Sequence, residues 1–447
     1  MRLTRQQFLQ SSLGGFGALA LQGICAGDAT RVKETAATSV IYLYMEGGPS
    51  QVDTFEPKPR LEKEHGKPLP FDKPATVFNS SNKIMASPFK FSRYGESGGW
   101  ASELFPHLSG CMDDLTFIHS MHHGVSNHSA GCYMSHTGDP MAGRPSIGSW
   151  VTYGLGTEND NVPGFVVLDC GQSPSGGAAS WSSGFLPSSF SGAKFHDGAV
   201  PVEFLSPADS PQVQNAKLRA IRSFARLSSP HSGLESQIRS YEKAARMQNS
   251  VPDLLDISRE TKSIHRLYGL DDPRCRKFGS RCLIARKLVE SGVRFVELFS
   301  PRVKADRWDQ HSKLKEGHIN NAVAVDQPIA GLLQDLKQRG LLEKTLVLWG
   351  GEFGRTPSSQ GSNGRDHNPF GYTVFMAGGG MRAGYRHGST DEFGYYAEQD
   401  KVHLHDLHAT ILYQLGINHE QLTYRYAGRD YRLTDVYGRV VTDIIQS

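Results

Sequence analysis

The last quarter of the chain most narrows what it can fold into. TLVLWGGEFGRTP, GRDHNPFGYTVFMAGGG and HLHDLHATILYQLG follow one another between Thr345 and Gly416, each setting acidic or His residues beside a strand-like apolar run. Thr345 to Trp349 is a short β-type run that leads into Gly350, Gly351 and Glu352, and Tyr372 to Met376 leads into three glycines. In an open α/β sheet, ligand-binding groups gather just beyond the carboxyl ends of strands, and Glu352 falls there. The pattern is that of a metal site built on a sheet.

Upstream segments fit the same architecture. SVIYLYM from Ser39 is a buried strand that opens into Gly47, Gly48 and Asp53. Leu115 to Ser120 is a second strand and runs into MHHGVSNHSAGCYMSHTG, while Gly164 to Leu168 is a third. Residues 171–198 are rich in Gly, Ser and Phe, the composition of a long loop that caps a site. From about 210 to 290 the apolar spacing is helical, with breaks near Ser229, Val251 and Asp271, and predicts an inserted layer of about four helices. VRFVELF (Val293 to Phe299) returns to strand, and Ala322 to Arg339 is an amphipathic helix closed by Gly340. Strand, helix, strand in succession implies a mostly parallel sheet, in one large domain over 38–447.

A net charge of +3 with acids and bases interspersed leaves no basic footprint for nucleic acid. MRLTRQQFLQSSLGGFGALALQGICAG has a basic start, a modest apolar stretch and small residues, the layout of an export signal over about 1–30. TRQQFL is close to a twin-arginine core, with Gln6 in place of the second arginine. The apolar stretch is too short to span a bilayer, so the mature chain is expected to be periplasmic or extracellular with no transmembrane segment. Gln22, Gly23 and Ile24 fit a lipoprotein box poorly and disfavour an anchor on Cys25. Five cysteines follow Cys25, none in a C-x-x-C pair. Cys275 and Cys282 lie about 10 Å apart along a predicted helix, too far for a bridge, and are expected as core thiols.

The histidines carry more information where they accompany acids after strands. Asp309 and His311, in WDQH, stand two residues apart in a loop beyond a strand and suit Zn, Mn or a related ion; the alternative is a helix-capping Asp and a surface His. Glu352, Asp366 and His367 add candidate ligands. His403, His405, Asp406 and His408 cluster before an apolar helix, where one of His405 and His408 is a candidate ligand and Asp406 a candidate cap. The stretch after the second strand holds Ser126 and His128 at a strand-to-helix turn, a place where helix amides favour an anion and a hydroxyl can act as nucleophile. Arg355 is a candidate grip on an oxyanion, or else a salt-bridge residue.

GGPSQVDTFEPKP, HSMHHGVSNHSAGCYMSHTGDP, LVLWGGEFGRTP and LTYRYAGRDYRLTDVYGRVV together resemble a secreted bacterial family known as domain of unknown function number 1501, sulfatase-like and common in planctomycetes. The likeness runs from about residue 39 to the C-terminus, and the family resembles a distant branch of the alkaline phosphatase and sulfatase superfamily. It implies an alkaline phosphatase-like three-layer α/β sandwich with helices on both faces of the sheet, and one or two divalent ions (Zn, Mn, Ca or Mg). By the resemblance, Asp309, His311 and His367 hold the first ion, although the Asp–His spacing is narrower than usual. Glu352 serves the second, with Phe353 where His or Asn is usual. Glu46 stands where the first metal-binding Asp is normal, with Asp53 as the fallback. Counting back from Thr137-Gly138 lands on His128 rather than on a Cys, Ser or Thr nucleophile, and no Cys-x-Pro-x-Arg is present to support formylglycine chemistry.

These readings converge on a secreted metal-dependent hydrolase of small-molecule or polysaccharide sulfate or phosphate esters, with Ser126, His128 and Arg355 as catalytic candidates. The alternative is a secreted binding or assembly protein that keeps the fold and one structural metal without a nucleophile.

Overall fold

A computed structural model describes residues 35–72, 83–171, 173–195, 210–227, 251–303 and 307–446. The expected export signal and Cys25 lie outside them. The chain is organised around a nine-stranded sheet. Its principal elements are β1 (Ser39–Tyr44), β2 (Leu115–His122), α1 (His128–Thr137), α2 (Ile147–Leu155), β3 (Phe165–Leu168), β4 (Ala193–Phe195), α3 (Arg276–Glu290), β5 (Phe295–Phe299), α4 (Leu314–Gln338), β6 (Thr345–Gly350), β7 (Gly354–Gln360), β8 (Gly364–Asn368), β9 (Tyr372–Ala377), β10 (Arg386–His387), β11 (Val402–His403) and α5 (Leu404–Gln414). The sheet order is β10-β2-β9-β6-β1-β5-β3-β4, with β11 on β2. Only β9 runs against its neighbours, β2 and β6, so the sheet is mostly parallel as expected.

Alternate residues of the central strands enter two separate cores. Ile41, Leu43, Val166, Leu168, Val296, Leu298, Val347 and Trp349 pack on the α3/α4 side, against Phe278, Leu288, Val325 and Leu332. Val40, Tyr42, Phe165, Val167, Phe295, Leu346 and Leu348 pack on the opposite side with Cys132 and Met134 of α1, Trp150 and Val151 of α2, and Leu407 and Ile411 of α5. Strands covered on both faces must be apolar at every position, which is why they stand out as continuous runs. Each such side chain contributes about 1.5–3 kcal/mol on full burial. The result is a three-layer α/β sandwich.

Three stretches differ from expectation. In the 210–290 region helix is described at Pro211–Leu227, 251–255, Lys262–Leu267 and α3, in keeping with about four helices. The last of these, α3, packs along α4 and against β5 and β1, so it belongs to the sandwich's own layer rather than to an inserted one. In the Gly/Ser-rich stretch, short 3-10 turns at Gly177–Trp181 and Ser188–Phe190 precede edge strand β4, because Trp181, Leu186 and Phe195 find places in the core. Helix α4 also begins earlier than its apolar period suggests. LKEGHINN is polar, yet Leu314, His318 and Asn321 are buried there. All five described cysteines are buried, and Cys275 and Cys282 are core thiols as expected.

One His–carboxylate pair interrupts the apolar layer. Glu297, in the middle of β5, faces His136 Nε2 of α1, and both are sealed from solvent. His136 Nδ1–H donates to the Cys132 carbonyl at 2.6 Å. Burial opposes a charge on this imidazole, but Glu297 outweighs it and raises its pKa above the ordinary value. Removing one partner strands the other in a dry interior. Glu297→Ala should therefore cost about 3–5 kcal/mol in denaturant unfolding, and a loss below about 1 kcal/mol would show that no ionised pair exists there.

Candidate metal centre

Strands β1, β5, β6 and β2 all run in one direction, so their carboxyl ends share an edge and each delivers a loop to it. After β2, Asn127 caps α1 by accepting from the Ser129 and Ala130 amides, which sets His128 at the first helical position. After β5 come Trp308, Asp309 and His311, and after β6 comes Glu352. The β7/β8 hairpin brings His367 opposite Arg355. Gly47, with φ +105°, permits the closest approach: a Cβ there would lie 2.6 Å from the Asp309 amide nitrogen and 2.7 Å from that of Trp308.

His128, Asp309, His311 and His367 each bring one ligand-type atom to within 4.8 Å of all the others. The carboxylate of Asp309 is the centre. His311 Nε2 lies 2.8 Å from Oδ1, His367 Nε2 3.3 Å from Oδ1, and His128 Nε2 3.1 Å from Oδ2. Each imidazole uses its other nitrogen elsewhere. His128 Nδ1 donates to Glu352 Oε1 at 2.6 Å, His367 Nδ1 to the Ser126 carbonyl at 2.5 Å, and His311 Nδ1 to Gln360 Oε1. Those acceptors place the ring protons on Nδ1 and turn three Nε2 lone pairs toward one point, the arrangement that orients metal-binding histidines.

Donor chemistry tests whether a cation fits. Three imidazole nitrogens and a carboxylate oxygen suit Zn, Mn or a similar borderline ion. His128 Nε2 is buried and makes no hydrogen bond of acceptable geometry despite its nearness to Asp309, an orphan that a cation would satisfy. Without a cation, burial opposes protonation of His128, but the nearby Asp309 and Glu352 carboxylates raise its pKa to about 9. Burial also disfavours the charged form of Asp309, yet His128, His311, His367 and Arg355 hold its pKa well below the carboxylate range. His367 moves the other way, with burial as the main cause, to about 4. A proton on His128 thus stands in for part of the positive charge the cluster requires.

The remaining sequence candidates fall in other places. Glu352 is fully buried and orients His128 while accepting the Gly47 amide at 2.9 Å, so it stands one layer behind the cluster. Glu46 accepts from the Ser175 amide and hydroxyl and pairs with Arg307, and is not among the converging donors. Asp53, the fallback, is fully buried in a two-pronged ion pair with Arg365, at 2.6 and 3.1 Å. Asp366 is also outside the cluster and bonds the His367 amide. His405 and His408 donate Nε2–H to the carbonyls of Gly138 and Ser135, where they tie α5 to α1. Asp406 caps α5 in a reciprocal box with His403. Arg355 does not grip an outside anion: its guanidinium is buried against the carbonyls of Gly47, Gly48 and Arg365 and donates to Asp309 at 2.6 Å. Ser126 lends its carbonyl, and its hydroxyl makes no hydrogen bond with any described residue. Gln360, at the end of β7, has no signal in the sequence that marks it as the partner of His311.

The family described as Protein of unknown function (DUF1501) matches residues 37–445. No curated protein matches the chain. Among solved structures it is similar to the lipoteichoic acid synthase LtaP from Listeria monocytogenes, at 10% identity over 92% of this chain and 80% of that one, with a TM-score of 0.38. It is similar to the PsFucS1 sulfatase from Pseudoalteromonas sp. at 14% identity, over 86% and 68% of the two chains, TM-score 0.37. A third is a protein in the alkaline phosphatase superfamily from Vibrio parahaemolyticus, at 10% identity, 88% and 70% coverage and TM-score 0.36.

Two measurements separate cluster from scaffold. His367→Ala should lose most of the metal bound per chain by elemental analysis. Asp53→Ala should keep it while losing about 3–5 kcal/mol of stability, because Arg365 is left buried and unpaired; metal loss in Asp53→Ala at full stability would return Asp53 to the site. Metal affinity should rise with pH, since a proton held on His128 below about pH 9 must leave as the cation enters. Calorimetry near pH 7 in buffers of different ionisation enthalpy should show about one proton released per ion. Zero release would remove His128 from the ligand set.

Proposed function

The chain belongs to the DUF1501 family, and we propose that it is an exported, metal-dependent hydrolase of sulfate or phosphate esters. The observation that carries this reading is the convergence of three oriented imidazole nitrogens on the Asp309 carboxylate. A divalent cation bound there would supply Lewis-acid polarisation of an ester oxygen. The chain's own groups do the rest of the work.

Glu352, Gln360 and the Ser126 carbonyl hold the imidazoles in one tautomer, so the cluster needs little reorganisation during reaction. Side-chain exposure is 34% for Asp309, 25% for His311, 20% for His128 and 2% for His367, so substrate approaches past the first three rather than past His367. On that side lies a polar cavity of about 200 Å³ bordered by His128, Asp309, Ser175, Glu46 and two arginines, whose guanidinium groups are of the kind that meets an anionic ester. Water entering the cavity attacks the sulfur or phosphorus, the bond to the ester oxygen breaks, and the alcohol leaves with a proton. Ser126 is the weaker candidate for attack, because no described side chain is bonded to its hydroxyl to take the proton. Export is supported by the basic, apolar, small-residue order of the N-terminus. No helix among the described residues is long and apolar enough to cross a membrane.

With aryl sulfate and aryl phosphate as substrates and Zn or Mn supplied, Asp309→Ala should reduce turnover at least about a hundredfold. Ser126→Ala should stay within about threefold of the parent. Total loss in Ser126→Ala with metal retained would transfer the attack to its hydroxyl. A metal-loaded parent that turns over neither ester would sink the hydrolase reading.

A further inference from the structure

The LTYRYAGRDYRLTDVYGRVV segment forms part of a second cavity, which the proposed reaction does not use. Its volume of about 670 Å³ falls within the roughly 300–1,000 Å³ of pockets that enclose small ligands. Met134 of α1, Pro140, Val436 and Tyr437 give it a mostly apolar wall. Val436 and Tyr437 are 69% and 61% exposed, two successive apolar side chains left in water. His403 and His405, at the start of α5, complete the wall. His405 Nε2–H donates to the Gly138 carbonyl at 2.7 Å, so Nδ1 carries a lone pair, and that nitrogen is buried without a hydrogen bond. The Cδ2–Nε2 edge of the ring faces Gly138, which puts Nδ1 on the opposite edge. His403 has the reverse assignment. Its Nδ1 accepts the His405 amide at 3.2 Å, and burial lowers its pKa to about 4, so near pH 7 the ring is neutral with its proton on Nε2. That N–H meets no acceptor among the described residues. The charged groups of the same wall are engaged elsewhere: Asp406 accepts the His403 and Arg439 amides, and Arg439 donates to the Lys401 carbonyl.

We infer that this cavity is a binding site for an uncharged, largely apolar molecule of one or two rings that carries a hydroxyl. A hydroxyl both donates and accepts. Here a lone pair on His405 and an N–H on His403 stand on rings whose centroids are 4.8 Å apart. A proton given to His405 Nδ1 removes the cost of a buried, unpaired acceptor. A carboxylate has no proton for His405 and would share the cavity with Asp406, while an ammonium has no lone pair for His403. Neither histidine belongs to the converging metal donors among the described residues, so a cation is not the occupant. The Tyr437 ring lies parallel over His405, 5.2 Å away, and covers it. A side chain so exposed turns aside within nanoseconds and then offers its face to a ligand ring. None of these residues is part of the Asp309 cluster, so the inference stands or falls apart from the hydrolase reading.

The test titrates the full chain with 2-naphthol, 2-methoxynaphthalene and naphthalene, followed by fluorescence. The first donates and accepts, the second only accepts and the third does neither. 2-Naphthol should bind about tenfold more tightly than its methyl ether, and naphthalene most weakly. In nitrogen NMR of labelled histidine, the His405 Nδ1 resonance should move with 2-naphthol and stay in place with the ether. Val436→Asp, on the exposed wall, should weaken 2-naphthol at least about fivefold. His405→Phe should erase the difference between 2-naphthol and the ether; where that variant fails to fold, the NMR comparison on the parent decides. Asp309→Ala should bind 2-naphthol as the parent does, and loss of binding there would put the compound in the metal centre and overturn the inference. Equal affinity for all three compounds, or none for any, also overturns it. So does a parent dimer in sedimentation that Val436→Asp dissociates, because a second copy would then fill the cavity.

Discussion

The buried guanidinium of Arg355 is the bracket on which the site is assembled. It donates to the Gly47 and Gly48 carbonyls of the loop after β1, to the Arg365 carbonyl across the hairpin, and to the Asp309 carboxylate after β5. Segments far apart in sequence are thereby fixed to one planar group. A sealed cation costs several kcal/mol in lost hydration, and only several well-placed acceptors offset that. Arg365, a few residues on, repeats the device with Asp53 and the carbonyls of Thr356 and Met85. The loops at this edge thus owe their shape to two buried arginines as much as to apolar packing.

That bracket explains why so much charge can gather at Asp309. A carboxylate facing three imidazoles and an arginine lies deep enough for electrostatics to act strongly, but it retains a path to solvent. The imidazoles differ in their surroundings. His367 is sealed and leans toward neutrality, whereas His128 sits between two carboxylates and holds a proton when no cation is present. The cluster is therefore prepared for a positive charge, and Glu352 behind His128 strengthens that preference through the imidazole. Alongside it, Glu46 and Arg307 form an ion pair, and both border the cavity.

Much of the sheet was legible because buried parallel strands leave unbroken apolar runs, as in SVIYLYM, VRFVELF and TLVLW. Asp309, His311 and His367 were legible as candidate ligands from acid and His beyond strand ends, and the fold brings the three together. Other roles depended on partners that sequence order conceals. Arg355 looked like a substrate grip, but four acceptors from distant segments claim it. His405 and His408 looked like ligands, but the α1 carbonyls lie within reach and take their protons. The start of α4 was hidden because its polar face is buried against the site loops, where polarity misleads a periodicity argument.

By itself, then, the sequence determined the strand order of apolar runs, the layered α/β class and which chemical types stand at strand ends, because these depend on local pattern and on burial averaged over a few residues. The tertiary structure alone decided which of the acids faces the histidines and which faces an arginine. Asp309, Glu352, Glu46 and Asp53 are all carboxylates beyond strands, yet one meets three imidazoles, one orients a single imidazole and two are neutralised by guanidinium groups. The reason is physical: a carboxylate's role is set by whichever charge lies within a few ångströms of it, and that distance is fixed by the fold rather than by spacing along the chain.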